Sequence, residues 1–394
     1  MHTFKYEEFR QFSALIGGES LEVISKPGLP AWDTVLPSTR LLAEQSRFNP
    51  TDRVLLFGCP NGALGVVLAR QLVHGQLSIT DKDFLALEVT RRTLSVNDIK
   101  SVNILSDVSL DGLDEQQHHV VLMQLPKGRN LARRWLIQAH RALVEGGSLF
   151  LAGANNSGIQ STIKDGEDLF GNAQVLAYKK GNRIARLVKK PGAQPLPAWI
   201  NEPGIASGTW MEFQVILSGQ SLIIRSLPGV FAYDHLDPAS QMLLSVTQNV
   251  SGMRVLDVGS GYGIIGMAAA IQGARWVDFV DTDLLAIASC KETLSINGIK
   301  NATVKAGDLL EPFKSNCYDL ILSNPPFHTG RDVNYQIAHA LIMQAHPALD
   351  PGGQIIIVAN RFIPYGQIID EIFGNSTLLA ESERFHVLSG IKSG

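Results

Sequence analysis

Two hydrophobic patterns alternate along the second half of the chain. Short unbroken apolar runs read as buried strands: RVLDV (254–258), WVDFVD (276–281), ATVKAGD (302–308), YDLILSN (318–324) and GQIIIVAN (353–360). Longer stretches between them read as helices. IIGMAAAIQG follows a glycine turn, residues 284–297 are closed by Gly298, and residues 333–349 stop at Asp350-Pro351-Gly352-Gly353. Strands alternating with helices require right-handed crossovers, so the expected fold is α/β, a mostly parallel sheet with helices on both faces. Upstream, FQVILSGQSLIIRS carries two strand-like runs around Ser218-Gly219, a hairpin pattern.

The same order of patterns occurs earlier, at a shift of about 200 residues. RVLLFGCPNGALG (53–65) lies over RVLDVGSGYGIIG (254–266), RRTLSVNDIK (91–100) over KETLSINGIK (291–300), and ALVEGGSLFLA (142–152) over ALDPGGQIIIV (348–358). LFGN (169–172) lies over IFGN (372–375), and SLEVISKPGLPAWD (20–33) over SLIIRSLPGVFAYD (221–234). So many matches along one diagonal imply two copies of one domain. The expected division is a first copy at 1–190, a Pro/Gly/Ala-rich linker at 191–209 and a second copy at 210–394.

Composition narrows the class. Of 394 residues, 45% are hydrophobic and 18% charged, which suits packed cores and opposes global disorder. Cys59, Cys290 and Cys317 form no Cys-x-x-Cys pair and the histidines show no ligand spacing, so neither a disulfide framework nor a metal site is expected. No apolar run reaches the ~18 residues of a membrane span, and two glutamates stand in MHTFKYEEFR where a signal peptide wants an apolar core. A cytoplasmic, monomeric protein is expected. The net charge of −3 conceals an asymmetry: residues 1–200 carry 23 Lys+Arg against 19 Asp+Glu, the remainder 11 against 18. A basic first copy suits a polyanionic partner; drift in surface charge would look the same.

Candidate chemistry lies in the second copy. Asp257-Val-Gly259-Ser-Gly261-Tyr-Gly263 joins a strand to a helix, where glycines let the backbone approach a ligand. Asp281 and Asp283 close the next strand, where a carboxylate can grip ribose hydroxyls, and Asp308 follows the third, placed to accept from an adenine amino group or to sit beside the ring. The spacing Gly261-Tyr-Gly263-Ile-Ile-Gly266 also fits a dinucleotide fingerprint. S-adenosylmethionine is favoured because Asp257 would repel a pyrophosphate and welcome an amino-acid ammonium. The second reason is Asn324-Pro325-Pro326-Phe327 at the end of a buried strand. An aromatic amine is a poor nucleophile, its lone pair delocalised into the ring. Acceptors at the Asn324 amide oxygen and the Pro325 carbonyl favour a pyramidal nitrogen aimed at an electrophilic methyl. The prolines fix the backbone, and Phe327 offers a stacking face worth ~1–3 kcal/mol.

Aligned with the second copy, the first has Leu56 for Asp257, Pro60 for Gly261, and Gln124, Leu125 and Lys127 for Asn324, Pro325 and Phe327. Gly58, Gly62, Gly65 and Asp81 persist. The first copy is therefore expected to keep the fold and lack activity. Phe231 (Pro30 in the first copy) and Asp237 (Leu36) are candidates to cover the cofactor, with packing and helix N-capping as the plainer reading.

GVFAYDHLDPASQMLL (229–244), VLDVGSGYGIIG (255–266), SNPPFH (323–328) and IVANRFIPY (357–365) resemble bacterial ribosomal RNA guanine-N2 methyltransferases of the small-subunit type, and the large-subunit enzymes are similar. The resemblance covers about residues 220–390 and is looser before them. It implies two tandem Rossmann-like class I methyltransferase domains, the first degenerate, and methyl transfer to the N2 amine of one guanine. By motif, Asp257, Gly259, Gly261 and Gly263 would hold the cofactor, Asp281 its ribose and Asp308 its adenine, while Asn324 to Phe327 would present the guanine. The Phe-Ser-Arg common in the family is Phe231-Ala232-Tyr233 here, so no role is carried to Ala232 or Tyr233. His328 reads as a loop or substrate-positioning residue, since amine methylation needs no matched base.

The partner expected is ribosomal RNA or a ribosomal subunit. Lys127, Arg129, Arg133, Arg134 and Arg141, and then Lys179, Lys180, Arg183, Arg186, Lys189 and Lys190, are candidates to neutralise phosphates; a solvated helix face and a lysine-protected edge strand are the alternatives. DNA amino groups or protein glutamine would suit the same Asn-Pro-Pro chemistry. A nicotinamide oxidoreductase and a non-enzymatic RNA-binding factor are the rival classes.

Overall fold

The computed structural model describes residues 5–106, 115–192, 195–217, 219–325 and 331–394. They form two units, Phe9–Trp210, and Met211–Gly394 joined by the N-terminal segment Met1–Glu8. In the first, β1 (Arg10–Ile16) and β2 (Glu19–Ser25) form a hairpin, followed by α1 (Pro37–Gln45), β3 (Arg53–Phe57), α2 (Ala63–Gln71), β4 (Gln76–Thr80), α3 (Phe84–Val96) and β5 (Val102–Leu105). Then come β6 (His118–Gln124), α4 (Arg129–Ala142), β7 (Leu143–Ala154), α5 (Ile159–Phe170), β8 (Gln174–Lys179) and β9 (Asn182–Val188). The second unit repeats this: β10 (Met211–Leu217), β11 (Gln220–Ser226), α6 (Pro238–Val246), β12 (Arg254–Val258), α7 (Ile264–Ile271), β13 (Trp276–Asp281), α8 (Leu284–Ile296) and β14 (Ala302–Ala306). It continues through β15 (Tyr318–Ser323), α9 (Arg331–Ala348), β16 (Leu349–Asn360), α10 (Tyr365–Phe373), β17 (Thr377–Glu381) and β18 (Phe385–Ile391).

Each unit holds a seven-stranded sheet of one topology, β5-β4-β3-β6-β7-β9-β8 and β14-β13-β12-β15-β16-β18-β17. Six strands of each sheet run in one direction, as the alternating pattern predicts for a mostly parallel sheet. Only β18 reverses, pairing antiparallel with β16 on one side and β17 on the other, as β9 does with β7 and β8; a short hairpin connection from β17 to β18 needs no crossover, which frees the last strand to reverse direction. The central strands are buried on both faces. Leu256, Ile321, Ile355 and Ile357 pack with Leu341 and Ile342 of α9 and with Ile368 and Ile369 of α10, each worth roughly 1.5–3 kcal/mol.

The repeated sequence blocks have a structural cause. Asn297, the C-cap of α8, donates to the Ile223 carbonyl at 2.7 Å and accepts from the Ile223 amide at 3.1 Å, so one side-chain amide pairs with β11 as a neighbouring strand would. Thr293 holds Arg225 in the same two-way fashion. Asn97 and Thr93 treat Glu22 and Ile24 of β2 identically. Asn172 and Asn375 each bridge the turn after α5 or α10 to Val188 or Ile391. Lys189 and Lys392 each donate to the carbonyl that opens β7 or β16, Leu143 or Leu349.

The stretch read as a linker is tied to the first unit instead. Trp199 is buried in the short 3-10 turn Ala198–Asn201, Arg133 lies over its ring, and Arg134 donates to the Gly204 carbonyl. Proline and glycine mark backbone shape there, and the buried tryptophan decides the packing. Residues 5–8 likewise group with the second unit, across the expected boundary. Among the described residues no helix is long and apolar enough to cross a membrane, and no group of three or more His, Cys, Asp or Glu could hold a metal. Asn297→Ala strands both backbone groups of Ile223 and is expected to destabilise by about 1–3 kcal/mol, read as a lower midpoint in chemical denaturation; an unchanged midpoint would reject the pinning role.

Candidate active site

The chain leaves β12 toward β13 on one side, and reaches β15 on the other. The crevice where the order reverses, at the carboxyl ends of the strands, is where open α/β sheets take ligands. Ser323 donates to the Val258 carbonyl at 2.8 Å, which locks these two strand ends together. Around this point lie Asp308 beyond β14, Asp281 on β13, the glycine loop after β12 and Asn324 after β15. Three inter-strand spacings, roughly 14 Å, separate the outer members, room for a nucleoside joined to an amino acid.

The glycines divide by what they face. A β-carbon on Gly263 would stand 2.6 Å from the Cys290 sulfur, and one on Gly266 would stand 2.3 Å from the Phe279 ring. Gly62 and Gly65 in the first copy are equally enclosed, against Thr90 and Ile79. These glycines serve helix–sheet packing, which explains why both copies keep them. Gly261 has φ +55° and nothing within 4 Å of where its β-carbon would be. It is the glycine the first copy replaces, with Pro60. Gly58 persists there because a β-carbon would collide with Gln124, and the cavity left beside that loop is about 10 Å³, room for roughly one water.

The acidic residues are differently placed than their sequence positions suggest. Asp257 is fully buried; one oxygen accepts from the Gly266 amide at 2.8 Å, capping the first turn of α7, and the other has no partner among the described residues. Burial pushes its carboxyl up to about 7, against the pull of the Gly266 bond. The side chain turns inward to the first turn of α7, to which Gly263 gives no side-chain cap of its own. Asp281 accepts from the amides of Gly261 and Asp283, and Asp81 does the same for Cys59 and Asp83. That loop-holding job accounts for Asp81 in a copy without the other groups. Asp281 is partly exposed and remains within reach of a ligand. Asp308 accepts from the Tyr6 hydroxyl at 2.6 Å, and Tyr6 is buried against Ile337, Ala340 and Leu309. No signal in the sequence links Tyr6 to residues three hundred positions away.

Asn324 is the most constrained polar group. Its amide nitrogen donates to Asp237 at 3.1 Å and to the Ser240 hydroxyl at 2.9 Å, while its amide oxygen is buried without a partner among the described residues. In the first copy both ends of the corresponding amide are used: Gln124 donates to Ser38 and accepts from Thr39 at 3.1 Å. Ser240 was not foreseen, although Asp237-Pro238-Ala239-Ser240 is a legible helix start. Asp237 caps α6 through the Ser240 amide and is 9% exposed. The plainer reading of a helix N-cap holds, and the same carboxylate oxygen that caps α6 also accepts from Asn324. Phe231 is half exposed. Pro325 is buried; Pro326, Phe327 and His328 lie outside the described residues.

A methyltransferase small domain profile matches twice, over residues 20–186 and 221–389. The chain belongs to the methyltransferase small domain family. It is 34% identical over 280 residues to ribosomal RNA small subunit methyltransferase C of Chromohalobacter salexigens, covering 68% of this chain and 77% of that one. The namesake of Cronobacter sakazakii is 32% identical over 277 residues, covering 68% and 73%. Among solved structures, the 16S rRNA N2 methyltransferase RsmC of T. thermophilus, in complex with AdoMet and guanosine, superposes with TM-score 0.80 at 28% identity, covering 97% of this chain and 98% of that one.

In the first small domain most of the basic candidates have structural duties. Arg129 and Arg133 both grip Asp165; burial opposes charge on that carboxyl, but the two guanidiniums outweigh it and hold it below the usual range. Arg134 is buried, and Arg141 pairs with Glu115. Arg183 binds Asn155, Arg186 binds Ser148, and Lys179 pairs with Glu44. Lys189 is corrected outright: 9% exposed, with its ammonium on the Leu143 carbonyl, it cannot meet a phosphate. Lys190 is exposed although it donates to Gly171, and Lys127 and Lys180 are exposed with no ion pair among the described residues.

The raised carboxyl of Asp257 has a consequence for stability. The group binds its proton more tightly folded than unfolded, so its contribution is present below about pH 4 and lost as pH rises through about 7. Asp257→Asn keeps an acceptor for Gly266 and cannot ionise. Its stability relative to the natural protein is expected to improve by up to about 3 kcal/mol from pH 5 to pH 8, read by thermal unfolding at both; a pH-independent difference would reject the shift.

Proposed function

We propose that this chain transfers a methyl group from S-adenosylmethionine to the exocyclic N2 amine of a guanine in small-subunit ribosomal RNA. The observation that carries the reading is the unpaired amide oxygen of Asn324, a buried acceptor at the ligand edge of the sheet. A buried acceptor without a partner costs about 1–3 kcal/mol, so it is kept where a donor arrives, and an aromatic amine is such a donor. The likeness to a 16S rRNA N2 methyltransferase complexed with AdoMet and guanosine supports the acceptor class, as do relatives carrying the small-subunit methyltransferase name.

The residues present suit the cofactor. Gly261 leaves its face of the loop open, Asp281 is partly exposed beside it, and Asp308 follows the neighbouring strand. When bound, S-adenosylmethionine supplies a sulfonium methyl as the electrophile. Asn324 accepts one N–H of the amine, localising the lone pair on nitrogen and directing it. The new N–C bond forms as the S–C bond breaks, and the nitrogen then releases its proton to water. No residue need act as a matched base.

Labelled S-adenosylmethionine with undermodified small subunits, large subunits and their bare RNAs tests this. Label is expected as N2-methylguanine in small-subunit RNA, about 100-fold slower or worse with Asn324→Ala. Label confined to large-subunit RNA, or none, would overturn the assignment. For the first unit we propose RNA docking through the exposed Lys127, Lys180 and Lys190. Lys127→Glu with Lys180→Glu is expected to weaken RNA binding and lower its salt slope by roughly one per lost phosphate contact, leaving cofactor affinity unchanged; an unaltered salt slope would remove these residues from the interface.

A further inference from the structure

We infer that Asp237 is a positioning residue for methyl transfer: it decides which end of the Asn324 amide faces the substrate. The two ends of a carboxamide are nearly the same size and opposite in function, since one donates and the other accepts. An ionised carboxylate only accepts. With Asp237 at 3.1 Å from the amide nitrogen, the amide can stand only with its NH₂ toward α6 and its oxygen away from it. Ser240 assists by accepting at 2.9 Å, but a hydroxyl could equally donate and would tolerate the reversed amide. The carboxylate is itself fixed, 9% exposed and bonded to the Ser240 amide as the cap of α6.

The first copy shows the arrangement without the lock. Leu36 occupies the position of Asp237, and Gln124 that of Asn324. There the amide oxygen accepts from Thr39, the residue aligned with Ser240, and the amide nitrogen donates to Ser38. Without a carboxylate, the helix hydroxyl has turned donor, and no acceptor is left over for a ligand. The polarity of one helix cap thus separates a self-satisfied amide from one with a vacant oxygen.

This inference rests on Asn324 as the acceptor of the amine proton. Asp237→Asn tests it, because asparagine caps a helix as well as aspartate yet satisfies Asn324 in either orientation. Single-turnover methyl transfer with undermodified small subunits is expected to slow at least tenfold. The dissociation constant for S-adenosylmethionine and the melting temperature should stay unchanged, and Ser240→Ala, which keeps the carboxylate, should lose less. Wild-type rate in Asp237→Asn beside an inactive Asn324→Ala would overturn the inference and leave the site reading standing. Cofactor affinity falling in step with the rate would return Asp237 to cofactor support. Full activity in Asn324→Ala would instead remove the acceptor reading itself.

Discussion

The sheet changes direction between β12 and β15, and the chain on either side of that change must leave by opposite routes. The gap so created is bounded by two strand ends that the Ser323–Val258 hydrogen bond keeps level. The glycine loop after β12 opens on one side of it, and Asn324 and Pro325 follow β15 on the other. Everything assigned to the candidate site hangs from this topological constraint. Asp281 and Asp308 enter it because their strands are the next two in the sheet, and Asp237 as the N-cap of α6, whose carboxylate reaches Asn324.

The two copies act as an internal control on which residues belong to the fold and which to chemistry. Asn97/Asn297, Thr93/Thr293, Asn172/Asn375 and Lys189/Lys392 make the same bonds in both units, so their persistence is a matter of pinning helices and turns to strands. Enclosed glycines persist for the same reason. The crevice differs between the copies in its polar groups: an open glycine becomes proline, a buried acid becomes leucine, and a vacant amide oxygen becomes a bonded one. These polar groups change while the scaffold around them stays the same.

Charge behaves differently from pattern. A cluster of arginines in one stretch of sequence suggests a phosphate surface, yet a helix distributes neighbours around its circumference. On α4, Arg129 and Arg133 point to Asp165, Arg134 inward to Gly204, and Arg141 to Glu115. Just past the end of β9, Lys189 is buried on the Leu143 carbonyl while its neighbour Lys190 is exposed.

The hydrophobic runs and glycine turns of this sequence were enough to determine the duplication, the α/β class and the strand ends that carry candidate chemistry. These are local or periodic properties, set by burial on both strand faces and by backbone conformations that glycine alone adopts cheaply. The tertiary structure alone decided how polar side chains are spent. Asp257 turned inward to cap α7, Asp237 turned to Asn324, Tyr6 reached Asp308 across three hundred residues, and Trp199 drew the supposed linker onto α4. A hydrogen bond depends on which donor and acceptor the fold brings within about 3 Å, and sequence spacing carries no record of a distance set by elements that meet only after folding.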